Sequence, residues 1–101
     1  MRLADLKPEF VRFSSELVTV SMHKREVVTT LSEAQGIRFR SPGNLDLALC
    51  IPFSGRGAPA DENGGIQWGV SATGFADLTL TPSVNTRQWH GFVINGEVTS
   101  C

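Results

Sequence analysis

Cysteine is scarce in this chain, neither sign of charge is in surplus, and no apolar run is long. Each shortage removes a class of protein. Two cysteines in 101 residues, Cys50 and Cys101, cannot make the dense disulfide framework of a small secreted domain. Residues 1–8 carry an early charge but no apolar leader with a small-residue cleavage site, so a cytoplasmic protein with two reduced thiols is expected. Nine basic against ten acidic residues leave a formal charge of −1, giving no strong field to steer the chain onto nucleic acid and no acidity to mimic it. Nothing approaches the roughly 20 apolar residues of a membrane-spanning helix, and no membrane partner is expected.

What is present suits one folded domain over 1–101. The chain is 41 % hydrophobic and 19 % charged, with ten glycines and five prolines that imply many turns between short elements. Residues 3–12 read as a turn or short helix broken by Pro8. Val18, Val20 and Met22 alternate with Leu17, Thr19 and Ser21 as in a strand. The polar run His23–Lys24–Arg25–Glu26 reads as the turn after it, and Val27–Val28–Thr29 as the return. Thr30–Leu31–Ser32–Glu33 has the spacing of a capping box, and Gly36 fits the left-handed residue that ends a helix, so one short helix is expected at about 31–35.

Strands follow. Ile37 and Phe39 alternate with Arg38 and Arg40. Beyond the turn residues Ser41–Pro42–Gly43–Asn44, the residues Leu45, Leu47, Leu49, Ile51 and Phe53 share one face of a long strand. Asp46, Ala48 and Cys50 make its other face less polar than a solvent face, which predicts a central strand, and 37–40 pairs with 45–53 as an antiparallel hairpin. Residues 54–65 form the one long surface loop, a solvated connector or a functional loop. Gly74–Phe75–Ala76–Asp77 reads as a turn into a strand at 78–81. Asn95–Gly96, between Phe92–Val93–Ile94 and Glu97–Val98–Thr99, carries the strongest short hairpin signal, because a type I′ turn needs positive φ at both central residues. The fold expected is α+β, predominantly antiparallel β, closed by a C-terminal hairpin.

The order Ala34–Gln35–Gly36–Ile37–Arg38–Phe39, an apolar strand, a Gly-rich loop before Trp68, Asp77–Leu78–Thr79–Leu80–Thr81–Pro82–Ser83 and Trp89–His90–Gly91–Phe92–Val93–Ile94–Asn95–Gly96–Glu97–Val98 resembles a family of small phage and prophage proteins. That family often carries a misapplied ammonia monooxygenase label, and its function is not established. The resemblance spans most of the chain and is firmest from Asp77 onward. It implies a Cys-Pro-x-Cys knuckle after the strand at 37–40 and a cysteine or histidine near the last hairpin, together a zinc-ribbon-like site. Here the knuckle reads Ser41–Pro42–Gly43–Asn44 and supplies no thiolate. His90 stands at the family's histidine position. The remaining potential ligands His23, Cys50, His90 and Cys101 share no ligand-like spacing, so no metal and no other cofactor is expected.

Catalytic patterns are missing as well. Ser71, Ser83, Cys50 and Cys101 lack a neighbouring base motif, and the glycines at 55, 57, 64, 65 and 69 match no phosphate-cradling loop. A non-enzymatic binding protein is expected. The first reading is a protein-binding module that uses Arg56, Trp68, Arg87, Trp89 and His90 in or beside loops, with Arg38 and Arg40 on an exposed strand face. Both tryptophans would equally serve as core. The phage likeness implies a host-cell partner, such as a CRISPR effector or another defence factor that the chain inhibits. The second reading is a nucleic-acid-binding module with a four-cation patch of Lys24, Arg25, Arg38 and Arg40 contacting phosphates. Its bland counterpart is a solvated face paired with Glu26, Glu33 or Asp46. A homodimer formed through an exposed strand edge or the C-terminal hairpin is compatible with either.

Overall fold

The computed structural model describes residues 1–20 and 22–101. Nine strands follow one another: β1 (Glu9–Thr19), β2 (Met22–Val28), β3 (Gly36–Ser41), β4 (Asn44–Pro52), β5 (Gly69–Ser71), β6 (Thr79–Thr81), β7 (Val84–Asn85), β8 (His90–Ile94) and β9 (Glu97–Ser100). They pair antiparallel in three sheets, ordered β2-β1-β3-β4, β5-β6 and β7-β8-β9. The domain measures 33 × 27 × 22 Å.

The architecture is mostly antiparallel β, and the predicted helix at 31–35 is not there. Among the described residues, helical backbone occurs only as short 3-10 segments, one of them Leu31–Glu33. Thr30 makes no side-chain cap; its hydroxyl donates to the Glu33 carboxylate at 2.8 Å. The ladder overrides local propensity here. Gln35 donates its N–H to the Val11 carbonyl and accepts from Phe53 N–H, drawing the chain into the sheet within two residues of the turn. Gly36 opens β3 with no positive φ. Glycine suits that place because a Cβ would sit 2.8 Å from the Ile51 carbonyl oxygen and 3.2 Å from the Phe13 ring.

Two strand expectations shift in the same way. The polar run His23–Glu26 lies inside β2 rather than in a turn, and β1 runs from Glu9 to Thr19. Ser21, placed by the sequence reading in the strand before that turn, lies outside the described residues. β4 does pair with β3 in the expected hairpin, with Ile37 opposite Ile51 and Arg38 opposite Cys50. It is nevertheless an edge strand rather than a central one. Its apolar face is buried only from Leu49 onward, and Leu45 is 58 % exposed.

One core joins the three sheets. Phe39 and Ile51 from the large sheet, with Phe53 just past β4, meet Leu80, Val93 and Val98 from the smaller ones and Leu78 just before β6, and Leu3 and Leu6 complete the cluster. Burying each such side chain contributes about 1.5–3 kcal/mol. Trp68 and Trp89 belong to this core at 2 % and 8 % exposure. Each indole N–H finds an acceptor, the Ser83 carbonyl at 3.1 Å and the Ser100 hydroxyl at 2.9 Å, as buried indoles require. Trp89 also meets Phe39 edge to face, with ring centroids 6.3 Å apart.

The C-terminal hairpin forms as predicted. Asn95 and Gly96 take positive φ of 49° and 74°, and β8 pairs with β9 from Gly91–Ser100 to Ile94–Glu97. The main chain clamps it from both sides: Leu3 N–H donates to the Gly96 carbonyl, Gly96 N–H to Leu78, and Val98 N–H to Met1. At the other end of the molecule the β1–β2 hairpin has far less support. β1 pairs with β3 only over Glu9–Val11, so the rest of the hairpin is a two-stranded ribbon.

Candidate functional site

A two-stranded ribbon is marginal alone and needs a surface to pack on. Here the long loop supplies it. The loop is anchored at its start by Arg56, which donates to the Leu31 carbonyl at 2.9 Å, and by Gln35, whose amide donates to the Gly57 carbonyl at 3.0 Å. At its end Asp61 and Glu62 dock on β2. The segment Glu62–Gly65 is a tight turn with Asn63 and Gly64 in the left-handed region, and the carboxylates of Asp61 and Glu62 at its start reach the ribbon. The loop is therefore not a wholly solvated connector. Glu62 is only 3 % exposed.

The docking is electrostatic. Glu62 Oε2 meets Arg25 Nη2 at 3.1 Å, and Glu62 Oε1 accepts the outward-facing backbone N–H of His23 at 2.9 Å. One carboxylate thus neutralises a cation and blocks an edge-strand donor that another chain would otherwise pair with. The Arg25 guanidinium also lies 5.7 Å from the Phe13 ring centroid and donates from Nε to Cys50 Sγ at 3.0 Å. Beside it, the nearly buried His23 ring spans the Ser14 carbonyl and Asp61 Oδ1, both at 2.7 Å. The hydrogen bond to Asp61 raises the His23 pKa above its ordinary value, and the same bond lowers that of Asp61. Burial pushes the Cys50 thiol up, against the pull of Arg25, so Cys50 is held as a thiol.

This cluster forms one end of a groove of about 840 Å³. The sheet face contributes Arg25, Arg38, Ala48 and Cys50, the docked loop Glu62, Asn63 and Ile66, and the β7–β8 connection Thr86, Arg87 and Gln88. Three guanidinium groups face a single carboxylate there. Arg25 and Glu62 satisfy one another. Arg38 is tied to Glu9 Oε1 through Nε and Nη2 at 3.3 and 3.0 Å. Arg87 is exposed and makes no ion pair among the described residues.

The predicted site residues therefore separate. Arg38 and Arg87 come together at the groove. Arg40 does not line the groove but shares with Arg38 a smaller pocket beside Lys7 and Glu9, with its Nη1 3.4 Å from the Asp46 carbonyl, and Arg56 anchors the loop. Trp68 and Trp89 are core, the second of the two roles weighed for them, so neither ring is presented at the surface. His90 is exposed at the start of β8. Three of the four patch cations have a carboxylate of this same chain near them, Lys24 at 3.9 Å from Glu16, Arg25 on Glu62 and Arg38 on Glu9, whereas Arg40 meets only the Asp46 carbonyl. Asp61 and Glu62 were not singled out from the sequence. A doublet of acids in a Gly-rich loop looks solvated until its distant partners, His23 and Arg25, are known.

A second surface stands next to the groove. Leu17, Val18, Val20 and Met22 at the free end of the ribbon are 51 %, 62 %, 92 % and 38 % exposed. Among the described residues no three His, Cys, Asp or Glu side chains gather as a metal site, and Cys50 and Cys101 are both free. No described helix is long and apolar enough to cross a membrane. No protein-family model, curated protein or solved structure matches this chain.

Proposed function

We propose that this chain is a small, non-enzymatic accessory protein that works by binding another protein. The observation that carries the reading is the free end of the β1–β2 ribbon, where four large apolar side chains within six residues face solvent on a hairpin that outruns its sheet. Large apolar side chains gathered in the open at one hairpin end are the kind of surface a protein interface covers. The likeness to phage and prophage proteins makes the partner a host protein, with a CRISPR effector or another defence factor as the form of the proposal, and puts the encounter in the host cytoplasm. Balanced charge suits a partner of ordinary surface rather than a polyanion. The pairing of Lys24, Arg25 and Arg38 with carboxylates of this same chain counts against the nucleic-acid alternative.

The test is capture from host lysate with the tagged full chain and with a Val18→Asp/Val20→Asp double variant. A stoichiometric partner held by the wild type and lost by the double variant is the expected result. Failure to capture any defined protein overturns the reading. Salt-sensitive retention on DNA by the wild type would replace it with nucleic-acid binding.

A further inference from the structure

The groove has a charge pattern that the apolar ribbon does not explain. We propose that it receives an extended acidic segment of the partner, with a carboxylate seated on Arg87 and Arg38; this rests on the protein-binding reading and names the chemistry of what is bound. Arg25 and Glu62 consume each other, which removes the only carboxylate in the lining from competition. What remains is Arg87, which has no ion-pair partner among the described residues, and the Nη1 edge of Arg38, since Glu9 takes only Nε and Nη2. Arginine presents a planar fork that matches a carboxylate bidentately.

The remainder of the lining suits a peptide. The amide side chains of Asn63, Asn85 and Gln88 offer both donors and acceptors to a main chain. Met22, Ala48 and Ile66 provide apolar contact between them, and Met22 joins the groove to the exposed ribbon, so one partner segment can run from one onto the other. Among the described residues no aromatic side chain lines the groove, so the aromatic platform on which single-stranded nucleic acid usually stacks is missing. At about 840 Å³ the open groove has room for several residues of an extended segment rather than for a single ion.

The probe is an acetylated hexapeptide of alternating glutamate and leucine, titrated into the isotopically labelled full chain and followed by NMR, with the alternating lysine–leucine hexapeptide as control. Saturable shifts at residues 85–88 and at the Arg38 side chain are expected with the glutamate peptide only. Arg87→Glu, at an exposed position, should weaken binding about tenfold or more while leaving the spectrum of the fold intact. Raising salt should weaken it as well. The proposal is overturned if the glutamate peptide gives no saturable shift, if Arg87→Glu binds it as well as the wild type, or if oligothymidylate displaces it at stoichiometric ratio. Lysate capture through the ribbon with a groove silent to the peptide would remove the acidic segment and keep protein binding. Peptide binding with no captured partner would remove the protein-binding reading on its own.

Discussion

The two ends of this molecule are both hairpins, and they are held by opposite means. The β8–β9 hairpin is clamped by the main chain: Leu3, Leu78 and Met1 bond to its turn and its last strand, and Trp89 and Val93 fill the core beneath it. The β1–β2 ribbon has a third strand only at its base and depends on side-chain charge, Arg25 on Glu62 and His23 on Asp61. The backbone hydrogen bonds of the first clamp carry no net charge, and the one ion pair beside them, the Met1 ammonium on Glu97 at 3.2 Å, is exposed and therefore weak. A charge clamp responds to pH and salt, and its strength resides in a loop that is distant in sequence. The end built for rigidity offers little apolar surface beyond Phe92 and Ile94, whereas the end held by charge presents its apolar tip to solvent.

The largest effect expected is from Glu62→Ala. It leaves the Arg25 guanidinium, whose side chain is only 14 % exposed, without its carboxylate and uncaps the His23 amide. Breaking one partner of a buried pair costs about 3–5 kcal/mol. Partial exposure of Arg25 places this site toward the lower figure. Urea denaturation should show the loss, and hydrogen exchange should place it in 22–28 and 61–66 rather than in the C-terminal hairpin. An unchanged midpoint would mean that the loop does not support the ribbon.

Gly96→Ala tests the other clamp. The glycine has a φ of 74°, and a Cβ there would run into the Ala76 carbonyl. Positive φ for a non-glycine residue and a backbone clash together cost about 1–3 kcal/mol. The loss should appear in denaturation at acid and neutral pH alike, since the φ and the clash at this turn carry no charge. Full stability in the variant would show that the turn can move away from Ala76 at no cost.

How far each hairpin was legible in the sequence follows from the same contrast. Asn95–Gly96 announces its turn because the constraint is local: two residues must take positive φ, and the pair that tolerates it best is there. The β3–β4 pairing was legible from strict alternation on both sides of Pro42 and Gly43. The β1–β2 turn was misplaced because His23–Lys24–Arg25–Glu26 looks like turn chemistry, and what makes it a strand, Asp61 and Glu62, lies about 38 residues further on. The 3-10 turn at Leu31–Glu33 fell to the same cause, with the Gln35 ladder contacts overriding a good capping pattern. Of the candidate site, Arg38 and Arg87 were singled out as interface residues and Arg25 as part of the cation patch. Their convergence on one groove depends on the long-range pairing that periodicity does not encode.

The smallest effect is the most discriminating one. The bond to Asp61 raises the His23 pKa, so the protonated ring favours the folded chain. That contribution is complete below the ordinary histidine value near 6.5 and is lost as pH rises through the raised folded value. Asp61 is lowered by the same bond, so its share is complete above about 3.9 and lost as pH falls through the lowered value. The clamp is thus whole between roughly pH 4 and 6.5. Acid also titrates Asp77, whose carboxylate is held low by the N–H groups of Gly74 and Thr73 and stands beside the Ala76–Gly96 contact, so the alkaline side is followed, at raised salt to screen the exposed Met1–Glu97 ion pair beside Gly96. Between pH 6 and 9, amide exchange corrected for intrinsic rate should quicken at His23, which donates to Glu62, and stay constant at Gly96, which donates to Leu78. His23→Gln should remove that pH dependence. Equal quickening at both amides would mean that the ribbon and the C-terminal hairpin open as one unit, and the division between a charge clamp and a backbone clamp would fail.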